Sequence, residues 1–425
     1  MRIPVPGKGG FFLFEVCLFH CKAQGSLLNQ LYYFNTMSNS PAYSFAEKLC
    51  YRFCKQSSFC LEYSPLYASI FGCIGRWLQK QTDCGQWLIR AAQSRTPFET
   101  PMLIASGLHY LVLEGRCTDG LASFFPTVGG LKLPTEEVLD VMLIETVQEN
   151  REFLEQWIAT VSVQTNETGR GLGWVLPLLY TPWKSVVIVD LGASAGLNLV
   201  AEKRSYLLES DMADTSAVKV GTADSEQFIF TCHGCWTPPQ RTTFPAVSAR
   251  IGCDRFPLPV NDLHDERLLC SFVWGDQPQR MLRLQEGIAA FRECCMEKGQ
   301  IPIYRIELPG ELAVFLKTIQ DEEVADPMVL FSSYITTYLH DKGKSLFEII
   351  QQWATGQQRA IVWFQQDLAA PDIVACKPPD LGWVLWSANV WQAATHISFH
   401  LAWCHPHGTQ IQWLPGIRQW QKYWQ

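Results

Sequence analysis

The chain has 425 residues, 48% of them hydrophobic and 18% charged, so it carries enough apolar mass for a large core and wholesale disorder is excluded. Its net charge of −7 is spread without long single-sign runs. No basic stripe exists to neutralise nucleic-acid phosphates, and a small-molecule partner is expected instead. No stretch reaches the ~18 uninterrupted apolar residues of a membrane span, so no membrane partner is expected either.

The 16 cysteines form no short, regular framework and read as reduced core thiols of a cytoplasmic protein. Cys232-His-Gly-Cys235 and the distant Cys404-His405-Pro-His407 together offer zinc-type donors. A single CxxC without a second spaced pair is a weak zinc signature, so no metal is expected. The oligomeric state stays open at this level.

Residues 1–43 read as a disordered or spurious extension. The apolar run from Phe11 to Phe19 follows Arg2 and Lys8, but Glu15 interrupts it and no small-x-small cleavage site follows. Organised patterning begins just after Met37, which is expected to be the native start. Residues 44–182 read as a helical cap region. Ser44 and Glu47 have the spacing of a capping box, and Phe45, Leu49 and Phe53 share one helical face. Pro101 to Leu113 reads as a short buried helix. From Glu136 to Ala159, Leu139, Met142, Leu143, Val147, Leu154, Trp157 and Ile158 recur at helical steps, which predicts one long helix. Asn166-Glu-Thr168 matches a glycosylation triplet of a kind that arises often by chance.

The pattern changes after Pro182. Val186-Val-Ile-Val189 is a β-branched run suited to a parallel strand buried on both faces. Further strands are expected at Val247–Cys253, Ile301–Ile306, Met328–Phe331 and Ala360–Phe364, with helical patterns at Asp265–Glu297 and Ser345–Ala354. This alternation predicts a doubly wound α/β sheet over residues 183–425. Trp383–Trp391 and His396–Cys404 follow one another without a helix and predict an antiparallel C-terminal hairpin. An insertion at about 204–243 is expected to leave the sheet, with a short hairpin around Phe228-Ile-Phe-Thr231.

The segment Asp190-Leu-Gly-Ala-Ser-Ala-Gly-Leu-Asn198 follows the first strand and opens a helical stretch through about Lys203. Small residues there allow a sharp turn and close approach of the backbone to a ligand, and amides at a helix start suit a carboxylate. Gly192, Ala193, Ser194, Gly196 and Asn198 are therefore cofactor-loop candidates, with Asp190 accepting hydrogen bonds from ligand or loop amides. A nucleotide-type ligand also needs a ribose partner at a neighbouring strand end. Asp254 is that candidate, and Glu307 is expected near the adenine end. Ser332 and Ser333 are expected to line the acceptor side, as are Asn166, Glu167 and Arg170, polar residues set with Gln164 between apolar runs. Such groups need partners or a ligand. Tyr334 and His340 are the candidate general bases, and no other stands out.

Gly192-Ala-Ser194-Ala-Gly196 also fits the nucleophile elbow of α/β-hydrolases, with Ser194 as nucleophile and Asp367 and His396 or His400 downstream in the required order. The helical character of the preceding ~140 residues speaks against it. So does the charged Asp190 ending the strand.

Gln164-Thr-Asn-Glu-Thr-Gly-Arg170, Asp190 to Asn198, Arg250-Ile-Gly-Cys-Asp254 with Pro257-Leu258, and Val273-Trp-Gly-Asp-Gln277 followed by Arg280 resemble an uncharacterised bacterial family, domain of unknown function 2332. The resemblance runs from about residue 44 to the C-terminus. That family is in turn similar to class I S-adenosylmethionine-dependent methyltransferases. This implies a Rossmann-like sheet of seven strands with the last reversed, and S-adenosylmethionine as cofactor. It also implies that Gly192, Ser194 and Gly196 cradle the methionine part and Asp254 meets the ribose. Ser194 stands where such loops commonly have glycine, and the spacing from Asp190 to Asp254 is stretched. A methyltransferase-like enzyme is thus the leading expectation. A serine hydrolase and a non-catalytic binding protein on the same fold are the alternatives.

Overall fold

The computed structural model describes residues 43–425, except 62, 165–166, 212–216, 222–227, 259, 261, 321–324, 370–375, 381 and 394. Met37, the apolar run before it and Asn166 lie outside the described residues.

The N-terminal half is helical. Helix α1 (Phe45–Cys60) starts at the anticipated capping box: the Ser44 hydroxyl accepts from the Glu47 amide, and Glu47 accepts from the Ser44 amide at 2.7 Å. It is followed by α2 (Pro65–Gln79), α3 (Asp83–Ala91), α4 (Thr100–Leu113) and the single turn α5 (Asp119–Ala122). Helix α4 is buried almost all round, as its largely apolar sequence requires. The expected helix over 136–159 is broken at Asn150, where φ −121° and ψ 24° are not helical, giving α6 (Glu136–Glu149) and α7 (Arg151–Thr160). A 3₁₀ turn (Thr168–Gly171) and α8 (Leu172–Leu178) then lead into the sheet.

Strand β1 (Ser185–Leu191) is buried on both faces. Val186 and Ile188 pack with α8 on one side, while Val187, Val189 and Leu191 pack on the other. Next come β2 (Tyr206–Ser210), β3 (Val218–Val220), β4 (Ile229–His233) and β5 (Ala246–Asp254). The expected helix over 265–297 is two helices, α9 (Leu263–Ser271) and α10 (Pro278–Lys298), separated at Gly275 and Pro278. Then follow β6 (Ile303–Arg305), α11 (Leu312–Gln320), β7 (Met328–Ser333), α12 (Lys344–Thr355) and β8 (Ile361–Asp367). The chain closes with β9 (Val384–Gln392), β10 (Thr395–Cys404), β11 (Gln410–Trp413) and α13 (Gly416–Tyr423).

The described strands form one mixed sheet of eleven, ordered β3-β2-β4-β11-β10-β9-β8-β7-β1-β5-β6. Strands β6, β5, β1, β7 and β8 are parallel, and the order reverses at β1, whose neighbours are β5 and β7. The C-terminal hairpin is present: β9 runs antiparallel to β8, and β10 antiparallel to β9. The implied seven strands with the last one reversed are not what forms, because β10 and β11 follow the reversed β9 and the sheet continues beyond them.

The insertion after β1 does not leave the sheet. It crosses to the far side, where β4 pairs in parallel with β11 and with β2, and covers what would be an open edge. Phe228–Thr231 is accordingly no hairpin; the antiparallel pair in the insertion is β2 with β3.

Helix α8 is pressed against the sheet through Gly173, where an added Cβ would lie 2.5 Å from Gln366 Nε2 and 3.1 Å from Phe331. The Gly173 carbonyl accepts from the buried Trp386 indole at 2.9 Å. Gly173→Val is therefore expected to destabilise the fold by about 1–3 kcal/mol through overpacking. Urea denaturation, read as a lowered midpoint at unchanged slope, checks it.

Candidate functional site

The turn after β1 lies at the carboxyl end of the parallel strands, at the point where the strand order reverses. Open α/β sheets bind ligands at that place. Its backbone is set by three residues in the left-handed region, Gly192 (φ 89°), Ser194 (φ 51°) and Gly196 (φ 76°). Gly192 is exposed, and a methyl on it would meet Ile335 at 2.9 Å. Gly196 is buried, and the space beside it is filled by Ile303 (2.7 Å) and Phe291 (3.0 Å). Both glycines thus serve packing, Gly196 among buried side chains and the exposed Gly192 against Ile335.

Neighbouring β5 holds the turn. Its Cys253 carbonyl accepts from Gly192 (2.8 Å) and Ala193 (2.9 Å). The Asp254 carboxylate accepts from the Ser194 amide and from the Phe256 amide, both at 2.8 Å. The amides expected to face a ligand carboxylate are therefore engaged by protein. The expected helix after the turn is a 3₁₀ segment (Leu197–Lys203) with Val200 out of helical geometry. Asp190 does not cap the loop as anticipated, because Cys253 and Asp254 do so. Its carboxyl lies buried on the same sheet face as Asp254. Burial, with the Asp254 charge adding to it, pushes the Asp190 carboxyl up to about 8, so it is protonated at neutral pH.

Gln164 and the Glu167–Arg170 turn lie over this edge. Gln164 Oε1 accepts from the Ser194 hydroxyl at 2.6 Å. Asn198 donates to the Glu167 carbonyl at 3.4 Å, and the Asn198 carbonyl accepts from the Trp174 indole at 2.8 Å. Glu167 is buried (side chain 2% exposed) and pairs with two arginines of α10, Arg280 at 3.0 Å and Arg283 at 3.4 Å. Arg170 donates to the Pro406 carbonyl at 3.1 Å, and its guanidinium lies 4.0 Å over the Tyr334 ring. Tyr334, at φ 60°, follows β7 and donates its hydroxyl to the Gly382 carbonyl at 3.2 Å. Burial holds its phenol above the ordinary range.

A sequence profile of a family described as "Uncharacterized protein conserved in bacteria (DUF2332)" matches residues 51–413. The chain belongs to that family. No curated protein matches it. The matched span runs from α1 to the last residue of β11, so the DUF2332 unit includes the helical half and the whole sheet.

Other residues of this DUF2332 protein singled out from sequence take no part in the hydrogen bonds of the loop described above, although Ser332 pairs with Leu191 in the sheet. Glu307 is exposed beyond β6 and pairs with exposed Arg255 at 2.8 Å, a contact of small energetic weight. Ser332 is fully buried and accepts from the Trp363 indole at 3.1 Å, Ser333 ends β7 half-buried, and His340 is exposed. The triad pieces do not converge. Ser194 reaches Gln164, Asp367 accepts from the Thr336 hydroxyl at 2.9 Å, and His396 meets Asn389 at 3.1 Å. His396 pairs with Trp391, which is in register with Ile361 at the start of β8. It is thus roughly 20 Å along the strand from Asp367 at the other end. His400 is in register with Ser387, opposite Gln365.

Cys232 and Cys404 are buried and separated by β11, Cys235 is exposed, and His405 bonds Thr409. Among the described residues, the one grouping of metal-type side chains is Asp262, His264 and Asp265 at the start of α9, mostly exposed. No helix of the described residues is long and apolar enough to cross a membrane. Arg283 escaped the sequence reading. Its signal is faint: Arg280 and Arg283 share one face of a helix by their spacing of three.

Proposed function

We propose that the chain binds S-adenosylmethionine at the carboxyl edge of β1 and transfers its methyl group to a small-molecule acceptor. What supports the reading is the reversal of strand order at β1, with exposed Gly192 at its end and half-buried Asp254 beside it on β5. Each Asp254 oxygen already accepts one backbone amide, and a carboxylate oxygen has a second lone pair to offer a ribose hydroxyl. The exposed Gly192 has no side chain of its own to obstruct the methionine part. The bound cofactor supplies an electrophilic sulfonium methyl. The chain contributes positioning of the acceptor, which is most of what such a transfer needs.

Calorimetric titration with S-adenosylmethionine tests this, with Asp254→Ala as the comparison. The folded wild type is expected to bind, and Asp254→Ala to bind at least about tenfold more weakly. The variant also loses the acceptor for two backbone amides, so its stability is expected to fall by about 1–3 kcal/mol. Folded wild type that shows no heat at millimolar cofactor defeats the proposal.

A further inference from the structure

Three arginines gather beside the loop. Arg170 and Arg283 are 6% and 7% exposed, and the Arg280 side chain 12%. Arg280 and Arg283 share one carboxylate, Glu167, and Arg170 lies within electrostatic reach of Arg280. Two further carboxylates stand nearby: Asp367 within electrostatic reach of Arg170, and part-buried Asp276, four positions before Arg280, which accepts from the Ser64 hydroxyl and the Leu66 amide. Asp380 is exposed and faces His405. The histidines add no negative charge, and the arginines help keep His407 neutral.

The same place leaves buried polar atoms unused. Arg283 Nε and His407 Nδ1 are buried and without a hydrogen-bond partner among the described residues. Four separate parts of the chain supply the cluster: the Glu167–Arg170 turn, α10, the His405–Gly408 turn between β10 and β11, and Tyr334 after β7. Gly169 and Gly408 let the two turns meet closely, for a Cβ on Gly408 would lie 3.3 Å from the Gly169 carbonyl carbon. Trp274 faces the His407 ring (6.4 Å) and Tyr63 the His405 ring (6.3 Å), an aromatic border to the charged group.

We propose that Arg170, Arg280 and Arg283, with His407 beside them, form a binding site for a small molecule bearing a carboxylate or a phosphate. Guanidinium forks match the paired oxygens of either group, and such an anion gives the unused Arg283 Nε a partner. The site does not depend on the methyltransferase reading. Where that reading holds, Tyr334 at the end of β7 puts the anion next to the cofactor edge, as the charged end of the acceptor.

The test is thermal unfolding of the full chain with inorganic phosphate and, separately, succinate, each titrated at constant ionic strength set with sodium chloride. No S-adenosylmethionine is present, so the outcome is separate from that of the cofactor titration. A saturable rise in Tm is expected with at least one anion, as ligand linkage requires. A response to phosphate alone assigns a phosphoryl ligand, and to succinate alone a carboxylate. Arg280→Gln is expected to weaken the response at least about tenfold. Arg170→Lys, which keeps the charge and removes the fork, gives the same comparison if Arg280→Gln does not fold. Absence of a saturable shift with both anions overturns the proposal. So does an undiminished response in the folded variants.

Discussion

Glu167→Gln is expected to cost the fold about 3–5 kcal/mol, the range for breaking a buried ion pair by removing one partner. The isosteric amide keeps volume and one acceptor oxygen, so the loss is electrostatic. Arg280 and Arg283 lose their shared carboxylate, at 3.0 and 3.4 Å, and nothing charged replaces it. The loss is large against the ~5–15 kcal/mol that holds a typical domain together. Equilibrium urea unfolding checks it as a lowered midpoint. The double variant Glu167→Gln with Arg280→Met supplies the cycle: removing one cation along with the anion is expected to cost less than the two single changes added together. Additive losses would mean that Glu167 and Arg280 act independently.

Asp190→Asn is expected to act in the opposite direction, and only above a certain pH. The carboxyl is raised to about 8 in the folded chain from 3.8. Between those limits the folded state binds more protons than the unfolded one, so this group makes stability fall as pH rises through roughly 4 to 8. The full loss is on the order of 5 kcal/mol. Asparagine keeps the shape and cannot ionise. Wild type and variant are therefore expected to match near pH 4, and the variant to be the more stable at pH 9. Other titrating groups largely cancel in the difference. Parallel stability curves for the two proteins across that window would refute the raised Asp190.

Much of the sheet can be read directly from the residues. Val186–Val189 and Met328–Phe331 are continuous apolar segments, visible because both faces of those strands are covered, and the two C-terminal runs stay largely apolar although Ser387, Asn389, His396, Ser398 and His400 interrupt them. Strand β3 has three residues and β11 four, too few for a period of two to stand out. Their place follows from pairing partners far away in the chain, which local pattern cannot supply. The same holds at the site. The loop and Asp254 are visible as residue types at strand ends. That Asp254 braces the Ser194 amide depends on β5 lying against β1, and 60 positions separate the two residues. The arginine cluster is less legible still, since Glu167 and Arg280 are 113 positions apart.

The far edge of the sheet carries a consequence for how the chain is made. Strands β2, β3 and β4 are synthesised directly after β1, yet they join the rest of the sheet through β11. Cys232 meets Ile411, so the early segment must wait for almost all of the remaining polypeptide before its open side is sealed. Contacts of such long reach slow folding and prolong the exposure of an unpaired strand. During that interval β4 is an edge that another nascent chain can occupy. Crowded synthesis is then the condition under which this architecture is most vulnerable.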